Sequence, residues 1–286
     1  MEKIIIHFLM LSCLSYSMAG FSQTVILQND ASVTMTADYL EGTVDMSPVL
    51  VLHGFLQTNQ FSTVRRLASV LNESGITVLT PTLSLGLDSR KQSLSCEAIH
   101  THTMNTDTNE LLQWLTWLHN KTGKKVTLVG HSAAGPTILN LIEKQGMEQI
   151  HHVILISLSY YASGPSANET EAQAIKAREQ IRSGSNALEI YALNYCKTYP
   201  TYPESFLSYY SWDKAKVEKL VGNYSKNISI IIGTKDKRID EAWGKQLNTA
   251  YGNVISIKGA NHFFDQAYEF DLTDSIETLL NIHNRK

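Results

Sequence analysis

A chain of 286 residues, 43% of them hydrophobic, is long enough for one large α/β domain with its own core. The net charge is −3, and the charged side chains are scattered. There is no basic stripe of the kind that binds nucleic acid and no like-charge tail of a disordered segment, so a small molecule is the expected partner.

The first residues differ in kind. Lys3 precedes an apolar run over residues 4–14, and small residues follow at Ser17 and Ala19. This order reads as a secretory signal peptide cleaved after Ala19, leaving 20–286 as the mature domain, with a buried N-terminal strand or a retained anchor as the alternative. The run is too short to cross a bilayer comfortably, so no stable membrane span is expected in the mature protein. Export would place the protein in the periplasm or the medium. Cys96 and Cys196 remain after cleavage. In an oxidising compartment a single disulfide between them fits, and two separate thiols fit as well.

Along the mature chain, strand-like and helix-like stretches alternate. Residues 25–28 and 33–39 read as an opening hairpin. Residues 48–53 form an apolar run, and helical spacing follows over 61–71. Residues 76–80 are strand-like. Leu111, Leu112, Leu115 and Leu118 fall on one helix face, which ends near Thr122 and Gly123. Strands are expected at 126–129, 153–158, 228–232 and 254–257, with helices over 138–144, 241–251 and 270–281. Unbroken apolar strands between helices indicate a mostly parallel sheet buried on both faces.

Residues 161–224 break this rhythm. They are rich in Ser, Tyr, Asn and Glu and show helical patches at 172–181, 187–193 and 214–220. An insertion of this size reads as a cap over the strand ends. Its aromatic residues, Tyr191, Tyr195, Tyr199, Tyr202, Tyr209, Tyr210 and Trp212, could line an apolar pocket or pack the cap onto the body.

The most telling run is Val126-Thr127-Leu128-Val129-Gly130-His131-Ser132-Ala133-Ala134-Gly135. A β-type run stops at a glycine, a serine follows between small residues, and a helical stretch begins. That is the layout of a nucleophile elbow, where a tight turn lifts one hydroxyl clear of the sheet. Serine is a poor nucleophile until an imidazole takes its proton and a carboxylate holds that imidazole. Asp236 lies just past the strand over 228–232, and His262 lies on the loop after 254–257. The chain order is then Ser, Asp, His. Asp240 and Asp265 are rivals for the acid. For the oxyanion, Gly54 lets the chain turn after 48–52. One donor is assigned to the N–H of Phe55, with Leu56 as the alternative, and the other to the N–H of Ala133.

Together these residues resemble the α/β-hydrolase superfamily, from His53-Gly54 through the elbow to Asp236 and His262. The resemblance implies an eight-stranded, mostly parallel sheet with a helical cap inserted after the sixth strand. One departure is visible: the last glycine of G-x-S-x-G is Ala134 here. It also implies a serine hydrolase acting on carboxylic esters or another small acyl substrate, esterase- or lipase-like. A thioesterase, amidase, peptidase or acyltransferase would use the same residues, and a non-catalytic binding protein is a third reading. His53 is expected to shape the oxyanion loop and His131 to point into the fold. Cys96, His100 and His102 have a spacing that suits a metal, but zinc needs further ligands that the sequence does not identify. A hydrogen-bonded histidine cluster is the simpler reading, and no metal or other cofactor is expected.

Overall fold

The computed structural model describes residues 22–162, 167–239, 241–251 and 253–282. The expected signal peptide and Asp240 lie outside them. Eight strands form one sheet in the order β1 (Ser22–Gln28), β2 (Thr34–Leu40), β4 (Val78–Thr82), β3 (Val49–Leu52), β5 (Val126–His131), β6 (Ile150–Ile156), β9 (Ile228–Gly233), β10 (Val254–Ile257). β2 is antiparallel to both β1 and β4, and every pairing from β4 to β10 is parallel.

The sheet is buried because its central strands are apolar on both faces, and alternation sends successive side chains to opposite sides. In β3, Leu50 and Leu52 join one core while Val49 and Val51 join the other. The first core is covered by α2 (Met104–Thr122), α3 (Ala134–Gln145) and α7 (Glu241–Ala250), with Trp114, Ile138 and Trp243 fully buried. The second lies under α1 (Ser62–Glu73) and α8 (Tyr268–Leu279), through Leu67, Leu71 and Ile276. α2 starts on a capping box in which Thr103 and Thr106 satisfy each other's backbone N–H, and it stops at Gly123 with φ 68°. No helix among the described residues is long and apolar enough to cross a membrane.

Between β6 and β9 lies the insertion that the sequence led us to expect as a cap, and it is called the cap below. Two of the expected helical patches fall within α4 (Ala167–Arg182) and α6 (Lys214–Asn223). The third does not: residues 187–193 contain no helix, and β7 (Glu189–Leu193) instead pairs antiparallel with β8 (Cys196–Thr201). The cap is therefore mixed rather than purely helical. The strand wins because Asn194, at φ 55°, turns the chain. Tyr191 then stacks on Phe206 of α5 (Pro203–Tyr210) at 4.2 Å, and Tyr199 stacks on His100 at 4.1 Å. α5, with proline at its first turn, is an element that the composition had hidden.

Cys96 and Cys196 are joined in a disulfide across 100 residues. The bond ties the long loop between β4 and α2 to the first residue of the cap's second strand. Tyr191, Tyr199, Tyr209 and Trp212 are almost fully buried, so these aromatics pack the cap onto the body.

Candidate active site

The C-terminal ends of β3, β5, β6, β9 and β10 bring the site together. At the end of β5, Ser132 adopts φ 58°, an uncommon angle for a residue with a side chain. Its N–H donates to the carbonyl of Ile156 at 2.8 Å, which fixes the turn against β6. The small residues around it have steric reasons. A Cβ on Gly130 would meet Ile138 Cδ1 at 2.5 Å and Ala134 Cβ at 3.1 Å, and one on Gly135 would meet Leu158 Cδ1 at 2.5 Å. Ala134 fits where the related motif has glycine because Gly130, opposite, carries no side chain.

His262 links the other two residues. Ser132 Oγ donates to His262 Nε2 at 2.9 Å, and His262 Nδ1 donates to Asp236 Oδ2 at 2.8 Å. The Asp236 side chain is fully enclosed and that of His262 nearly so. Asp236 Oδ1 accepts from the N–H groups of Arg238 (2.9 Å) and Ile239 (3.3 Å), leaving Oδ2 for the imidazole. Burial pushes the Asp236 carboxyl up, but its bonds to His262, the imidazole's charge and the Arg238 N–H outweigh burial and hold it below the usual range. Of the two rivals, Asp265 accepts from Asn261 at 3.0 Å and faces Arg66 on the surface, while Asp240 is not among the described residues.

The loop carrying His262 packs very tightly on the end of β9. A Cβ on Gly233 would lie 2.4 Å from the carbonyl oxygen of Ala260. The same loop is pinned by two donors to the His262 carbonyl, His131 Nε2 at 2.9 Å and Ser157 Oγ at 3.1 Å. Burial, helped by the neighbouring His262, lowers the His131 pKa to about 3, so the ring stays neutral. The sequence reading sent His131 into the fold but did not find Ser157, whose position just past β6 is its one signal.

On the side where the sequence reading expects the oxyanion donors, Gly54 lies against the elbow: a Cβ there would come 3.4 Å from Ser132 Cβ. The N–H groups of Phe55 and Ala133 donate to no partner among the described residues. Ala133 sits at the N-terminus of α3, where the helix dipole adds to its pull on negative charge. His53 does shape the loop. Its Nδ1 donates to the carbonyl of Gly54 at 2.8 Å and its Nε2 accepts the N–H of Leu83 at 3.1 Å. The Phe55 ring is roofed by Tyr161, Tyr195, Tyr199 and Tyr209. Tyr195 also reaches from the cap to donate to the carbonyl of Phe55 at 3.0 Å. A cavity of about 20 Å³, room for one or two waters, lies between this loop, Thr137, Tyr161 and the buried pair His102 and Asp107.

The Cys96, His100, His102 set does not form a metal centre. Cys96 is spent in the disulfide, and His100 lies flat on Tyr199. His102 Nδ1 faces Asp107 Oδ1 at 3.2 Å, and Tyr209 donates to the other carboxylate oxygen at 2.6 Å. No group of three or more metal-binding side chains occurs among the described residues.

No family model matches the chain, and no curated protein does so either. Solved structures do resemble it. Est1E from Butyrivibrio proteoclasticus, in complex with ferulic acid, is 16% identical, with 91% of this chain and all of that one covered and a TM-score of 0.66. The α/β hydrolase GrgF from Penicillium sp. sh18 is 13% identical, with 92% and 98% covered and a TM-score of 0.66. A thermophilic esterase from Thermogutta terrifontis is 17% identical, with 91% and 99% covered and a TM-score of 0.61. The sheet order, the inserted cap and these superpositions agree: the chain has the α/β-hydrolase fold.

Proposed function

We propose that this protein is a serine hydrolase that cleaves carboxylic esters through an acyl-enzyme on Ser132. The observation that carries this reading is the single imidazole of His262 bridging the Ser132 hydroxyl and the enclosed Asp236 carboxylate. His262 takes the serine proton as Oγ attacks the acyl carbon. The negative charge that builds on the carbonyl oxygen falls to the N–H groups of Phe55 and Ala133. His262 then returns the proton to the leaving alcohol, leaving the acyl group on Ser132. Water, deprotonated by the same imidazole, attacks that ester and frees the acid and the serine. Asp236 keeps the ring hydrogen on Nδ1 and offsets the charge of the imidazolium.

Export is part of the proposal. The leader-like first residues support it, and so does a disulfide joining distant parts of the chain. The test of the activity is covalent labelling with a fluorophosphonate, together with turnover of short-chain aryl esters. Both should be lost in Ser132→Ala while its thermal unfolding stays cooperative. Undiminished hydrolysis by that variant would overturn the reading.

A further inference from the structure

The segment between β4 and α2 is long, carries no regular element and has no role in the chemistry above. Its one deeply buried cation is Arg90, 6% exposed. The guanidinium spreads over carbonyls from three stretches of chain. Nε donates to Leu83 O at 2.7 Å, and one terminal nitrogen reaches Gln92 O at 2.8 Å and Leu56 O at 3.5 Å. The other donates to Gln57 O at 2.6 Å and lies 3.4 Å from His53 Nε2. Burial lowers the Arg90 pKa to about 10 against the opposing charges of Asp107 and Glu110, so the group stays cationic near neutrality.

These contacts converge on the turn over residues 54–57, where Leu56 holds φ 58°. Two N–H and N⁺–H donors, from Leu83 and Arg90, face His53 Nε2. The ring hydrogen must then sit on Nδ1, the atom that bonds the Gly54 carbonyl. In a trans peptide the C=O and the following N–H point in opposite directions. Fixing the Gly54 carbonyl therefore aims the Phe55 N–H. At the other end of the turn, Arg90 and the N–H of Leu94 hold the Leu56 carbonyl, and Arg90 holds that of Gln57.

We propose that Arg90 is a positioning residue for the oxyanion hole. Together with the N–H of Leu83 it sets the tautomer of His53, and it locks the carbonyls behind the turn. This rests on the hydrolase reading above, and it gives the otherwise unexplained loop a function: a platform beneath the turn that receives the oxyanion. Such a residue acts in the transition state more than in the bound ester.

The test compares wild type, Arg90→Lys and Arg90→Met on a short-chain aryl ester. Active sites are counted by fluorophosphonate titration, so that loss of folded protein is divided out. Arg90→Met should lower kcat by about 10- to 100-fold with KM within about twofold, less than the roughly 10²- to 10³-fold lost when an oxyanion donor is removed outright, because the donor is displaced and not deleted. Affinity for a trifluoromethyl ketone, whose adduct carries the oxyanion, should weaken in step with kcat. Arg90→Lys keeps the charge without the planar fork and should fall between the two, and it serves alone if the methionine variant does not fold. A kcat within twofold of wild type in the folded variant would overturn the proposal. Amide hydrogen exchange of residues 54–57 separates this from the parent reading. If wild type neither hydrolyses esters nor labels at Ser132, the hydrolase reading fails. Faster exchange in the variant would then still support positioning by Arg90, and unchanged exchange would end it.

Discussion

His131 and His262 are joined by a bond that runs from a side chain to a backbone: the Nε2 hydrogen of His131 points at the carbonyl of His262 at 2.9 Å. The residue before Ser132 thus holds the loop of the proposed base, and one bond ties the elbow to that loop. Replacing His131 with Phe keeps a ring against Phe61 and Phe263 but removes the donor. Ser157 remains on the same carbonyl, and the partnerless Nδ1 of His131 disappears as well. Stability should change by less than about 1 kcal/mol, because a satisfied and an unsatisfied group are lost together. The turnover number should fall about tenfold with KM held, as expected when an interaction used only in the transition state is weakened. Steady-state kinetics beside thermal melts would check both.

Asp236→Asn keeps the shape of the acid but removes its charge. The amide can present its NH₂ group to His262 Nδ1, which reverses the ring tautomer and leaves Nε2 unable to accept from Ser132. Turnover should drop by about 10⁴-fold near neutral pH with little change in KM. A loss of less than tenfold in a folded variant would mean that another carboxylate serves His262.

Acid should destabilise the fold through three neutral buried rings: His100, lowered to about 4 by burial and the neighbouring His102, and the more deeply shifted His53 and His131. Burial, with the charge of Arg90 for His53 and of His262 for His131, lowers both pKa values from 6.5 to about 3. Between those values the unfolded chain binds more protons than the folded one, so stability rises with pH and is lost as pH falls below 6.5. At pH 5 each ring accounts for about 2 kcal/mol of that loss. Asp236, held below its ordinary value, adds a loss confined to lower pH, below about 4. Chemical denaturation at pH 7.5 and pH 5 should show the difference, and His131→Phe should remove about a third of it. A denaturation midpoint that does not move between the two would contradict the neutral assignment.

Cys96→Ser with Cys196→Ser should cost several kcal/mol. Closing a loop of 100 residues is worth about 4–5 kcal/mol in the chain-entropy account. The loss should appear first in the cap, as faster amide exchange over β7 and β8, before the sheet opens.

Much of this was readable in the sequence because it rests on local rules. An apolar run ending at Gly130 with small residues beyond it admits few geometries, and the strand ends before Asp236 and His262 follow the same logic. The mostly parallel, doubly covered sheet followed from unbroken β runs between helical spacings, while its eight strands were what the resemblance to the α/β-hydrolase superfamily implied. The cap hairpin was missed because β7 owes its form to partners distant in sequence, chiefly Phe206 under Tyr191 and Gln173, whose side chain accepts from the N–H of Ala192 at 2.6 Å. Helical spacing over seven residues could not anticipate either contact. Arg90 and Ser157 were silent for a related reason. A lone arginine in a polar loop reads as surface until the loop folds beneath another, and a lone serine after a strand looks like any turn residue.

The hydroxyl of Tyr195 bonds the carbonyl of Phe55, and the disulfide clamps the hairpin that bears Tyr195 to the loop beneath it. A hinged lid swinging open on this scaffold would drag the oxyanion turn with it and disarm the chemistry at the moment of entry. On the proposed function, substrate would then enter by rotation of side chains and not by a swinging cap. Turnover should accordingly be indifferent to a lipid–water boundary, and a soluble ester should be consumed at the same rate with or without emulsion droplets.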